Sequence, residues 1–165
     1  MPTVKFRGQD LQLAGSLPGV GANAPPLELV APDLSAVTLE DFHDRRVVIA
    51  TVHSVDAPEG AQAIRNLQRA LDPKDDVALV VVSADSPYTL RRFQAFEALE
   101  DPALLSCLGS DFGTRWGVQI ADAPLRGHLC RAWLVVDSEG AIRLATVLPE
   151  LTQEEPLDPL LAALG

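Results

Sequence analysis

Two stretches of this sequence hold side chains capable of chemistry. The first is Cys130-Arg131, where a thiol adjoins a guanidinium. A neighbouring cation favours the thiolate, the nucleophilic form of cysteine, so this pair invites a redox reading. The second is the group His53, Asp56 and Glu59, which are acid–base and metal-ligating residue types close together in the chain. Each has a plainer alternative. If Cys130 and Arg131 lie on a strand, they point to opposite faces. An Arg131 turned toward a pocket then leaves Cys130 in the core as a small inert hydrophobe. The spacing of His53, Asp56 and Glu59 fits no helix-face or finger pattern for a metal, and His43 and His128 are distant in sequence. A solvated acidic loop that favours the dipole of a following helix is the simpler expectation. No metal and no cofactor are expected. Cys107 lies in a short apolar run and belongs with the core.

The elements that must position these groups follow from hydrophobic patterning. Residues 47–52 and 77–82 are continuous, β-branched apolar runs, which suit strands buried on both faces of a sheet. Between them Ile64, Leu67 and Leu71 share one helical face, and Arg65, Gln68 and Arg69 the other. Asp56 is the expected N-cap of that helix, Pro58 sits in its first turn and Asp72-Pro73 stops it. This strand–helix–strand unit makes the sheet at least partly parallel. It also puts His53, Asp56 and Glu59 on the loop after the central strand, a region where open α/β sheets often bind ligands.

Ser86-Pro87 offers a cap and first turn for a second helix carrying Leu90 and Phe93. A strand near residues 104–108 and a brief helix from Ser110-Asp111 to Trp116-Gly117 come next. Residues 132–136 and 142–147 flank Asp137-Ser-Glu-Gly140 as a β-hairpin. Leu157, Leu160, Leu161 and Leu164 give a last helix, with Thr152 and Glu155 as its expected capping box. At the other end, the alternation on both sides of Arg7-Gly8 predicts an N-terminal β-hairpin. A Pro- and Gly-rich loop over residues 18–26 and a short strand over residues 27–30 complete the reading. The class is α/β, with a central mixed β-sheet flanked by helices.

Composition bounds what such a chain can do. Of its 165 residues 47% are hydrophobic, enough for one core, so residues 1–165 read as a single domain. A formal net charge of −10 disfavours phosphate backbones and anionic lipid, so neither nucleic acid nor membrane is expected as a partner. The first residues lack the basic-then-apolar order of a secretory signal. Two cysteines are too few for a disulfide framework, so a reduced, cytoplasmic location is the expectation.

Four stretches carry a family resemblance: Leu29-Val-Ala-Pro-Asp-Leu-Ser-Ala-Val-Thr-Leu39, Ser83-Ala-Asp-Ser-Pro87, Arg92-Phe93 and Trp116-Gly-Val-Gln-Ile-Ala-Asp-Ala-Pro-Leu-Arg-Gly127. Through them the chain resembles, over nearly its whole length, the thiol peroxidase branch of the peroxiredoxins. The resemblance implies a thioredoxin-like fold. It also implies a chemistry in which a helix-N-terminal thiolate attacks a peroxide and becomes a sulfenic acid. The family carries this on Pro-x-x-x-Thr-x-x-Cys and a distant Arg. Here the proline position is His53, the threonine position Ala57 and the nucleophile position Gly60. Only Arg131 matches, and the family's resolving cysteine is replaced by Gln94.

The expected function is therefore that of a peroxiredoxin-fold homologue without its catalytic cysteine, a pseudoenzyme serving as a binding or scaffold module. The alternative is a thiol-dependent peroxidase that still reduces hydroperoxides, as the family does. Arg131 either binds a small ligand or anion or pairs with Asp56 or Glu59. The resemblance further implies a homodimer contacting through residues 116–127. It places the strands of Cys107 and Cys130 about three apart, beyond disulfide reach, so both thiols are expected free. A cysteine restored at Gly60 is expected at a helix N-terminus beside Arg131.

Overall fold

The computed structural model describes residues 2–99 and 103–165. Strands β1 (Thr3–Phe6) and β2 (Gln9–Ala14) form the N-terminal hairpin, with Phe6 opposite Gln9. Its two-residue turn puts Arg7 at φ 51° and Gly8 at φ 81°, the left-handed pair that matches strand twist. Strands β3 (Glu28–Val30) and β4 (Ala36–Thr38) make a second, shorter hairpin.

The centre is the expected strand–helix–strand unit. Strand β5 (Arg46–Thr51) leads to helix α1 (Pro58–Leu71), then β6 (Val77–Ser83), α2 (Pro87–Glu97) and β7 (Ala103–Ser106). Strands β5, β6 and β7 run parallel. After α3 (Phe112–Arg115) and β8 (Gln119–Ile120), strands β9 (Ala132–Val136) and β10 (Ile142–Val147) form an antiparallel hairpin on the other side of β5. Helix α4 (Asp158–Leu164) closes the chain. The large sheet has seven strands in the order β10-β9-β5-β6-β7-β3-β4, and β1, β2 and β8 make a separate three-stranded sheet. This is a thioredoxin-like mixed sheet with helices packed on it.

Burial on both faces of the central strands explains their unbroken apolar runs. Val47 and Ile49 of β5 pack with Leu11, Leu13, Phe112 and Trp116, beneath the small sheet and α3. Val48 and Ala50 pack oppositely, against Leu67 and Leu71 of α1 and Leu160 and Leu164 of α4. Ile64 joins Leu90 and Phe93 of α2 farther along that second face. No helix among the described residues is long and apolar enough to cross a membrane.

Two expected caps do not form. Ala57, not Asp56, is the N-cap of α1 and has no polar side chain to cap with, while the Asp56 carboxylate is bound by Arg92. Nor do Thr152 and Glu155 box a helix start: α4 begins at Asp158, and the Thr152 hydroxyl donates to the Glu150 carboxylate. Strands β4 and β8, too short to leave a periodic signal, had no counterpart in the patterning.

Candidate functional site

Past the end of β5 the chain turns through residues 52–57 into α1, and side chains remote in sequence hold this turn. Asp85 accepts from Ser54 Oγ at 2.8 Å and from the Val55 N–H at 2.9 Å, and also from Ser83 Oγ at 2.8 Å. Arg92 grips both Asp56 oxygens at 2.8 and 2.9 Å. The Ala57 N–H donates to the Ser54 carbonyl at 3.3 Å, which closes a turn lying over the first residues of α1. That carbonyl covers Gly60. A Cβ built on Gly60 would stand 2.1 Å from the Ser54 oxygen, well inside van der Waals contact. The position therefore accepts glycine only while the loop keeps this shape, and a cysteine there must first displace backbone. This corrects the expectation that a restored side chain would simply occupy the helix start.

His53 is 4% exposed and its Nε2 lies 3.3 Å from Glu59 Oε1. A carboxylate can only accept, so Nε2 carries the proton and Nδ1, buried without a partner, keeps a lone pair. Burial pushes the imidazole below its ordinary pKa. Glu59 opposes this, while Arg131 and His128 lower it further. His128 is thus brought back beside His53, and its own Nδ1 is also buried and unpaired. Sequence distance concealed this neighbour. Even so, no three His, Cys, Asp or Glu side chains among the described residues converge as metal ligands.

Arg131, just before β9, faces α1 as expected of a strand neighbour of buried Cys130. It is 6% exposed and donates from Nη1 to the Gln153 carbonyl. It pairs with neither suggested carboxylate: Asp56 is held by Arg92 and Glu59 lies against His53. Among the described residues no carboxylate comes within ion-pair distance of it. Burial pushes its pKa down, and the fields of Glu155, Glu59 and Glu154 hold it up.

Two clefts share Pro58 and Glu59 as a common wall. One, of about 410 Å³, includes Arg7, His53, Ala57, Leu125 and His128. The other, of about 330 Å³, includes Arg131, Trp133 and residues 152–155. Gly60 lines neither, and Gln94 lines a separate hollow with Ala31 and Pro32. The side chains at the degenerate motif positions and Arg131 thus come to one end of α1, but on different sides of Glu59. Cys130 lies on the opposite face, in the cluster of Val47 and Trp116, and Cys107 joins it there. Burial pushes each thiol up to about 12. Both are free, as expected.

The central mixed sheet with helices packed on it is that of the thioredoxin-like peroxiredoxin fold. The Redoxin family model matches residues 19–161. The thiol peroxidase of Mycobacterium tuberculosis is 33% identical, with 100% of this chain and 99% of that protein covered. That of Corynebacterium glutamicum is 32% identical over 100% of both chains. Among solved structures, thiol peroxidase from Chromobacterium violaceum superposes with a TM-score of 0.93 at 30% identity, covering 98% of this chain and 94% of that one. A peroxiredoxin-like protein from Aquifex aeolicus gives 0.90 at 28% identity, covering 97% and 94%. The chain belongs to the Redoxin family, in its thiol peroxidase branch.

Proposed function

We propose that this chain is a non-catalytic member of the thiol peroxidase branch, a binding or scaffold module that keeps a ligand pocket at Arg131. The observation that carries the reading is the Ser54 carbonyl, 2.1 Å from where a Cβ of Gly60 would stand. Glycine stands where the family's nucleophile is expected, and the Ser54 carbonyl occupies the space that a side chain there would need. Glycine offers no group to form a sulfenic acid, so the family's first step has no acceptor for the peroxide oxygen.

The rival reading, peroxide reduction through Cys130, is disfavoured by burial. Burial pushes the Cys130 pKa up to about 12, which keeps the thiol protonated at neutral pH. Two unpaired thiols also favour the reduced cytoplasm as the working compartment. Retention of residues 116–127 supports a homodimer, which a 17.6 kDa species in sedimentation at micromolar concentration would exclude.

Hydroperoxide consumption in the presence of dithiothreitol or thioredoxin tests the functional reading. The expected rate is the background of free thiols, unchanged in Cys107→Ser/Cys130→Ser. Turnover above background that disappears in Cys130→Ser would overturn it.

A further inference from the structure

The cleft of about 330 Å³ beside Arg131 has a charge pattern that narrows what it can hold. Its size is at the lower end for small-molecule sites, which span roughly 300–1,000 Å³. One wall is α1, with Glu59, Gln62 and Leu67; the other is the segment before α4, with Glu154, Glu155 and Leu157. Arg131 and Trp133 are on its floor.

Arg131 spends one N–H on the Gln153 carbonyl, and its other donors have no protein partner among the described residues. A buried guanidinium with donors to spare matches a carboxylate, whose two oxygens fit the planar fork. A simple anion, however, would enter against three carboxylates, since Glu59, Glu154 and Glu155 all act on Arg131. A simple cation would meet the guanidinium. A molecule carrying both charges offends neither. The exposed Glu154 and half-buried Glu155 stand at the rim, where an ammonium would keep part of its hydration. Trp133, Leu67 and Leu157 supply an apolar surface for an aliphatic side chain.

We propose that this cleft binds a small zwitterion, a free aliphatic α-amino acid with its carboxylate on Arg131 and its ammonium toward Glu154 and Glu155. The proposal rests on the reading of Arg131 as a retained ligand site and gives that site its ligand class. No bond is made or broken.

The test uses the full chain and L-leucine, followed by calorimetry and by Trp133 fluorescence, with Trp133→Phe to assign the signal. Comparators are N-acetyl-L-leucine, which lacks the ammonium, 3-methylbutylamine, which lacks the carboxylate, and inorganic phosphate. Leucine is expected to bind at least roughly tenfold more tightly than each comparator, the scale of one charged hydrogen bond. Arg131→Gln should abolish leucine binding. Because that residue is buried, a second variant, Glu154→Gln/Glu155→Gln, alters only the rim. It should weaken leucine by about tenfold and strengthen N-acetyl-leucine, a crossover that simple loss of structure cannot produce.

N-acetyl-leucine or phosphate binding as tightly as leucine would overturn the proposal in favour of a plain anion site. The amine binding equally would reduce the site to an acidic patch, and no heat with millimolar leucine would also overturn it. Peroxide turnover is read separately. Failure of leucine to bind leaves the non-catalytic reading intact, whereas turnover refutes that reading whatever leucine does.

Discussion

At the corner between β6 and α2, Ser86 acts as its residue type suggests. Its Oγ accepts the Thr89 N–H at 3.3 Å and Pro87 begins the helix. The corner between β5 and α1 occupies the equivalent place one strand away, yet Ala57 caps nothing there. Its loop is held instead by the neighbouring corner, through Asp85 on Ser54 and Val55 and through Arg92 on Asp56. One corner carries its own helix cap, whereas the other lacks one and leans on contacts about thirty residues away. The loop before α1 takes its shape largely from an adjacent element.

The largest effect should come from cutting that dependence. Asp85→Ala removes a carboxylate that accepts from Ser54, Val55 and Ser83. A loss of about 2–4 kcal/mol in urea denaturation is expected, since hydrogen bonds to charged groups contribute about 1.5–3 kcal/mol each and water recovers part. A loss no larger than that of an ordinary surface substitution would mean that the two corners are independent.

Gly60→Ala is the next test. Helix propensity alone would favour alanine by about 1 kcal/mol. The Ser54 carbonyl should reverse that sign, giving a net loss of about 1–3 kcal/mol, as overpacking does elsewhere. Backbone amide shifts should move at Ser54 and Ala57, and stabilisation with unmoved amides would show that the carbonyl does not press on Gly60. Gly60→Cys should behave alike, so a thiol placed there reports a rearranged loop. At the other corner Ser86→Ala should cost about 1 kcal/mol, the usual value of an N-cap, without disturbing residues 53–57.

The smallest effect is that of His53. Its folded pKa lies below the ordinary 6.5, mainly through burial, so between those two values the unfolded chain binds more protons. Its contribution is fully present above pH 6.5, is lost as pH falls below that value and levels off under the folded pKa. Melting temperature followed from pH 7.5 to 5 should therefore drop more steeply in the parent chain than in His53→Gln. Parallel curves would show that the imidazole does not titrate differently on folding.

What could be read from the sequence follows the same division. The apolar runs of β5 and β6, the amphipathic face of α1, the Ser86 cap and the hairpins at Gly8 and Gly140 depend on local periodicity and turn chemistry. All are where the residues put them. The alternation that sends Arg131 toward α1 and Cys130 into the opposite core was legible for the same reason. Asp56 and Thr152 are not caps: α1 begins past Ala57 and α4 past Leu157, and their side chains bind Arg92 and Glu150 instead. His128 beside His53, and the Ser54 carbonyl over Gly60, arise only when distant segments meet. No spacing rule encodes such meetings.

Cys107 and Cys130, set deep on one face of the sheet with pKa values of about 12, give the molecule a silent background toward alkylating reagents. Maleimides need an accessible thiolate, which burial denies to both cysteines. Modification must wait for the strands to part, so its rate becomes a clock for the opening of the core. Any new cysteine placed on the surface would be a single addressable handle in an otherwise unreactive chain.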